Sequence, residues 1–208
     1  MRSLSLFLLA SGLATAASFP APTIDPPASS HTSSAVFAGG CFWGVEAVFE
    51  RLNGVTNAVS GFSGGAAYTA HYEVVSSGIT GHAESVQVTY DPSKISYGKL
   101  LEVFFAVAHD PTELNRQGPD TGTQYRSAIF YADPEQKRIA EAYIKQLDAA
   151  RVFPKPIVTK VVPLNGFYQA EEYHQHYYDR NPQNPYIVYN DVPKVQHLQA
   201  EFPQLLKH

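Results

Sequence analysis

The chain has 208 residues, 44% of them apolar and 16% charged, with a formal net charge of −4. That length supports one domain with a sizeable core, and the balance is that of a globular chain and not a disordered one. A slightly acidic charge excludes a broad electrostatic footprint for nucleic acid or for an anionic membrane, so neither is expected as a partner.

The N-terminal stretch reads as a targeting segment. Arg2 gives a short positive region, residues 4–13 an apolar core, and Ala14-Thr15-Ala16-Ala17 a small-residue cleavage site. The apolar run, roughly ten residues, is too short to span a bilayer. Residues 1–17 are therefore expected to be a signal peptide, and the protein to be secreted or held in the secretory pathway. Residues 18–34 are rich in Pro, Ser and Thr and predict a flexible linker. The folded domain is expected over 35–208, with an irregular C-terminal tail.

Within that domain the signals alternate between strand and helix. Residues 35–38 read as a short buried strand closed by Gly39-Gly40. Phe42, Val45, Phe49 and Leu52 recur at helical spacing and predict an amphipathic helix that stops near Asn53-Gly54. Residues 55–62 predict a strand. In 84–90, Val86, Val88 and Tyr90 share one face, and Ser85, Gln87 and Thr89 the other. Leu100, Leu101, Phe104, Phe105 and Ala108 mark a helix, and residues 125–131 a strand bounded by Asp133-Pro134. A longer helix starts there, with Pro134 suited to its first turn, and residues 158–162 give one more strand. Beyond Asn165 the chain predicts mostly loop with short helical turns. The class is α/β or α+β: a two-layer arrangement of a mixed sheet packed by helices.

There is one cysteine, Cys41, so no intrachain disulfide can form. It lies between a glycine turn and a predicted helix start, where unpaired N–H groups and the macrodipole favour a thiolate and predict a lowered pKa. The competing reading is a small buried hydrophobe. Glu84 has the parity of Val86 and Val88, which aims it at the core. A buried carboxyl is held protonated and suits a general acid, whereas a strand-end residue would reach solvent; parity alone leaves both open. Phe42 and Trp43 flank the thiol. Tyr72 and Tyr125 do not stand out on physical grounds from other amphipathic tyrosines. His174 and His176, near Glu171 and Glu172, lack a third well-spaced ligand, so no metal site is expected. Residues 61–65 (GFSGG) lack the Lys-Ser/Thr ending of a phosphate loop.

Several ordered motifs together carry a resemblance. GCFWG at 40–44, GFSGG at 61–65, TGHAE at 80–84, HDPT at 109–112, LNRQG at 114–118, DTGTQYRS at 120–127 and EEYHQ at 171–175 resemble the peptide methionine sulfoxide reductase A family. The resemblance spans about residues 36–182. It implies an α/β fold of ferredoxin-like plait character and reduction of the S epimer of methionine sulfoxide, protein-bound or free. It implies Cys41 as the nucleophile and Glu84 as proton donor to the sulfoxide oxygen. It further implies Tyr72 and Tyr125 as hydroxyl donors, Asp120 as an organiser of the polar site, and Phe42 and Trp43 as the apolar wall for the substrate methyl. No cofactor is implied beyond an external thiol such as thioredoxin, glutaredoxin with glutathione, or dithiothreitol. A monomer repairing oxidised proteins is expected.

Two features depart from the family pattern. Many members carry C-terminal cysteines that resolve a sulfenic acid, but here Ile187 follows the segment that resembles the approach to one. The sulfenic acid must then be reduced from outside. Phe62 stands where many relatives have tyrosine. Two other functions remain open at this point: a secreted cysteine hydrolase using Cys41 with His82 or His174 as base, and a tyrosine-rich non-catalytic binding module.

Overall fold

The structure, a computed structural model, describes residues 19–26 and 31–207. The signal peptide expected over residues 1–17 lies outside the described residues. β1 (Ser33–Gly39) is buried from Ala35 onward and leads through Gly40 and Cys41 into α1 (Phe42–Glu50). β2 (Val55–Ser63) follows, then the one-turn helix α2 (Tyr72–Val75) and β3 (Ala83–Tyr90). α3 (Tyr97–Val103), capped by the Ser96 hydroxyl on Lys99 N–H, runs on as a π-helical turn through Ala108. A two-stranded hairpin of β4 (Arg116–Gln117) and β5 (Asp120–Thr121) precedes β6 (Ser127–Tyr131).

α4 (Pro134–Ala149) begins as the sequence predicts. The Asp133 carboxylate accepts from Glu135 and Gln136 N–H at 2.8 Å each, and Pro134 occupies the first turn, where its missing N–H costs nothing. β7 (Lys160–Pro163), β8 (Phe167–Gln169), α5 (Tyr177–Arg180) and α6 (Val192–Glu201) complete the described chain.

Among the described residues six strands form one sheet, in the order β7-β6-β1-β3-β2-β8. All neighbours are antiparallel except β6 and β7. The β1-α1-β2 crossover leaves a gap that β3 fills, and β3-α3-β6 does the same around β1. This split βαβ pairing is the ferredoxin-like plait. The main core lies between the sheet and the helices, where Phe37 stacks on Phe49 and Phe104 at 5.1 and 5.0 Å. A smaller cluster of Val36, Ala38, Ala83, Ala128 and Phe130 lines the other face.

Two expectations need correction. Residues 19–26 are not a free linker. Phe19 and Ile24 pack against the core, and the backbone is tied down along the strap. Gln146 bonds both Thr23 N–H and Ala21 O, Tyr143 OH donates to Pro20 O, and Gly98 N–H donates to the Asp25 carboxylate. Composition missed this because two apolar side chains outweigh a Pro-rich polar stretch once they have a groove to enter. The tail is not mostly loop either. A π-helical turn, Ile187–Asp191, runs into α6, and the pair packs on α1 with Ile187, Val195 and Leu198 buried.

Candidate active site

The site is assembled at the start of α1. Two of the N–H groups that no helical carbonyl can reach are taken by functional atoms and not by a capping side chain. Phe42 N–H donates to Glu84 Oε2 at 3.1 Å across from β3, and Trp43 N–H donates to the Cys41 sulfur. Gly40 makes this turn possible. Its φ is +89°, and a Cβ there would lie 2.5 Å from Cβ of Gln117. Gly44 has a different role: a Cβ would meet Asp191 Oδ1 at 2.1 Å and Lys194 Nζ at 2.9 Å. The second glycine of the motif thus lets the C-terminal helix bring a charged pair against the first turn of α1.

Cys41 is only 7% exposed. Burial pushes its thiol well above the ordinary value, and the nearby Glu84 and Asp191 carboxylates push the same way. The Trp43 N–H bond and the Lys194 ammonium oppose this without prevailing. The lowered pKa expected from the helix start is therefore corrected: desolvation outweighs the helix N-terminus, and the resting sulfur is a thiol.

Glu84 is 2% exposed, which settles the parity question in favour of the core. Burial raises its carboxyl to about 8, with the Phe42 N–H bond pulling down and Asp120 pushing up. At neutral pH it holds a proton. Tyr72, at the start of α2, and Tyr125, in a 3-10 turn before β6, are half-buried. Both hydroxyls are held above the usual tyrosine value, first by burial and then by Glu84, with Cys41 a further contributor. The four groups therefore share one small volume. Asp120, on β5, accepts a short hydrogen bond from Tyr186 OH.

An aromatic cage closes around them. Phe42 packs on Phe62 at 5.8 Å and on the His174 ring at 5.0 Å. Trp43 stacks on Tyr177 at 3.8 Å and 10°, meets Tyr186 edge-on at 5.7 Å, and donates its indole N–H to His174 Nδ1 at 3.1 Å. Tyr72 lies 4.2 Å from the His174 ring. Such pairs contribute roughly 0.5–1.5 kcal/mol each beyond area burial. The seven sequence-predicted residues are thus drawn together from α1, α2, β3, β5 and the turn before β6.

Tyr177, Tyr186, Asp191 and Lys194 were not assigned roles from sequence, and His174 was considered only as a metal ligand or hydrolase base, not as part of the cage. EEYHQ marks the place of His174, but nothing in the sequence marks the charged pair. Glu46, buried on α1, ties the segment in: it accepts from Ser60 OH at 2.8 Å and from His176 N–H at 3.1 Å. Glu46, Glu50 and His176 bring three possible ligand atoms together, yet Glu46 already serves as this anchor. His176 faces Glu50 while His174 faces the cage, so the two histidines point apart.

Neither histidine offers a base to Cys41. His82 Nδ1 accepts from Gly65 N–H at 3.2 Å and its Nε2 bonds Ala66 O at 3.0 Å, so both nitrogens are engaged away from the thiol. His174 Nδ1 accepts the indole N–H of Trp43, so the neutral ring carries its proton on Nε2, which has no lone pair to offer the thiol. The hydrolase reading loses its base. The arrangement can instead protonate an oxygen held by two hydroxyls and a carboxylic acid, while a sulfur nucleophile attacks beside an apolar wall.

Comparison with known proteins points the same way. The family model described as peptide methionine sulfoxide reductase matches residues 33–206. Peptide methionine sulfoxide reductase MsrA 2 of Mesorhizobium japonicum is 57% identical over 182 residues, covering 88% of this chain and 93% of its own. The protein of the same name from Synechocystis is 52% identical over 176 residues, covering 85% and 82%. Among solved structures, reduced Mxr1 from Saccharomyces cerevisiae superposes with a TM-score of 0.66 at 34% identity, covering 74% of this chain and 87% of that one. Methionine sulfoxide reductase A of Corynebacterium diphtheriae gives 0.65 at 38%, covering 74% and 76%.

Proposed function

Because the chain belongs to the peptide methionine sulfoxide reductase family, we propose that it reduces the S epimer of methionine sulfoxide through Cys41 and Glu84, and so repairs oxidised proteins. The observation that carries this is the pairing of a buried thiol with a buried, protonated carboxyl at the first turn of α1, where Trp43 N–H donates to the Cys41 sulfur and Phe42 N–H donates to Glu84 Oε2 at 3.1 Å. A sulfoxide oxygen bears partial negative charge. Protonating it makes the sulfur electrophilic and turns the oxygen into a leaving group.

The steps balance without a cofactor. The substrate methyl packs on Phe42, Trp43 and Tyr186, and its oxygen takes the Tyr72 and Tyr125 hydroxyls. Glu84 gives its proton to that oxygen as the Cys41 sulfur bonds to the sulfoxide sulfur. The thiol proton replaces the one that Glu84 gave up. The oxygen then passes to Cys41, the sulfur–sulfur bond breaks, and methionine leaves a Cys41 sulfenic acid behind. Asp120, fixed by Tyr186, orders the polar side of the site. Exclusion of water by the cage is what keeps Glu84 neutral.

The chain has no second thiol. An external thiol therefore returns the sulfenic acid to Cys41, with thioredoxin and glutathione-linked proteins among the candidates. The sequence of residues 1–17 supports export, which places the enzyme where free thiols are scarce. A single-turnover experiment tests the assignment: one equivalent of sulfoxide with no reductant yields one methionine per chain and a dimedone-reactive Cys41. Cys41→Ser yields none. Methionine formed by that variant would remove Cys41 from the role.

A further inference from the structure

A cavity of about 330 Å³ reaches Cys41 and borders the aromatic cage only at Tyr186. One wall is the 109–119 segment, which contributes Asp110 and Glu113. The other is the C-terminal helix, which contributes Tyr186, Asn190 and Lys194. Phe42, Trp43, Tyr72, Glu84 and Tyr125 do not line it. A charged lining is a poor match for an S-methyl group. It is well matched to a small polar molecule that must touch the same sulfur at another stage.

The tail fixes this geometry. Ile187, where the family resemblance leads one to expect a resolving cysteine, is fully buried and opens the π-helical turn. That segment, through Tyr186 and Asn190, is a wall of the cavity. Lys194 is held over the cavity by Asp191, its Nζ lying 3.1 Å from Oδ1. Asp191 is completely buried, and its Oδ2 has no partner among the described residues. The pair is lodged in the space that Gly44 leaves open.

Resting on the sulfenic acid assigned above, we propose that this cavity seats the reductant, and that the reductant is a small zwitterionic thiol of the amino-acid or short-peptide kind. Its carboxylate meets Lys194 and its ammonium meets Asp110 and Glu113. Displacement at a divalent sulfur runs in line, so the incoming thiolate must approach opposite the leaving oxygen. The oxygen of the sulfenic acid lies toward Glu84, which protonates it as it departs as water. The open side is the cavity. The thiolate forms a sulfur–sulfur bond with Cys41 as the sulfur–oxygen bond breaks. A second thiolate then attacks the mixed disulfide, releasing the small disulfide and Cys41 as thiolate, which a solvent proton restores to thiol. Two thiols are oxidised for each sulfenic acid reduced.

The experiment forms the sulfenic acid in a single turnover, then follows its loss with cysteine, 3-mercaptopropionate, cysteamine and 2-mercaptoethanol, each rate scaled to thiolate concentration. Cysteine should be fastest, exceeding 2-mercaptoethanol by about a hundredfold, about tenfold for each of its two charge-assisted contacts. Lys194→Gln should lower the cysteine-to-mercaptoethanol ratio by about tenfold, and Glu113→Gln should lower the cysteamine-to-mercaptoethanol ratio. If Lys194→Gln does not fold, Asn190→Asp serves instead: a carboxylate at the same wall should slow both carboxylate-bearing thiols. A flat series, unchanged ratios, or a thioredoxin that outruns every small thiol would overturn the proposal. Failure to form the sulfenic acid at all would overturn the assignment of Cys41 beneath it.

Discussion

Replacing Glu84 by Gln should move activity and stability in opposite directions. Gln keeps the acceptor for Phe42 N–H but has no proton to give, so sulfoxide reduction should slow by roughly 10²–10⁴-fold, the range for a positioned general acid. Stability follows from linkage. The Glu84 carboxyl is raised from 4.5 to about 8 in the folded state, so the folded protein binds this proton more tightly than the unfolded chain. The associated stability is fully present below pH 4.5 and is lost as the pH rises toward about 8. At pH 7 the unfolded chain is ionised while the folded one is not, and at about 1.4 kcal/mol per pH unit the loss comes to roughly 3 kcal/mol. Gln does not titrate. Urea unfolding of both proteins between pH 4.5 and 7.5 should therefore show equal stability at the acid end and a variant more stable by roughly 3 kcal/mol at pH 7. A difference that does not change with pH would refute the claim that burial holds Glu84 protonated, whatever happens to activity.

Three further outcomes follow from the geometry around α1. Gly44→Ala forces a methyl to 2.1 Å from Asp191 Oδ1; it should cost roughly 1–3 kcal/mol in urea unfolding, and wild-type stability would show that the C-terminal helix does not pack as described. Asp191→Asn removes a carboxylate that raises the Cys41 thiol. The pH profile of Cys41 alkylation should shift to lower pH, and a shift to higher pH would contradict the assigned sign. Tyr186→Phe removes the donor to Asp120 but keeps the ring against Trp43. It should lower kcat for a blocked methionine sulfoxide more than it raises KM, whereas an effect confined to KM would place Tyr186 in the apolar wall alone.

The strongly periodic elements were legible in the sequence because one physical signal dominated each. α1 buries Phe42, Val45 and Phe49 at helical spacing, β3 alternates, and α4 carries its own Asp133 cap and Pro134. Glu84 was legible as a core carboxyl by parity with Val86, but choosing between acid and strand end needed the sheet around it. The tail was not legible. α6 buries only Val195 and Leu198 among ten residues, a faint pattern that takes its helix from packing on α1. The Asp191–Lys194 pair meets Gly44 across most of the chain's length, and a glycine's missing side chain gives no local hint of what occupies the space. The same distance hid the sign of the Cys41 shift: a helix start is visible in sequence, whereas desolvation and two carboxylates from other elements are not.

The central claim is that this site reduces one epimer of methionine sulfoxide, with the oxygen held toward Glu84 and the methyl against Trp43. The most direct measurement is turnover of the separated S and R epimers of a blocked methionine sulfoxide, with a thiol in excess and methionine quantified by chromatography. Consumption of the S epimer alone is the predicted result. Consumption of the R epimer, or of neither epimer by folded protein with Cys41 reduced, would contradict it.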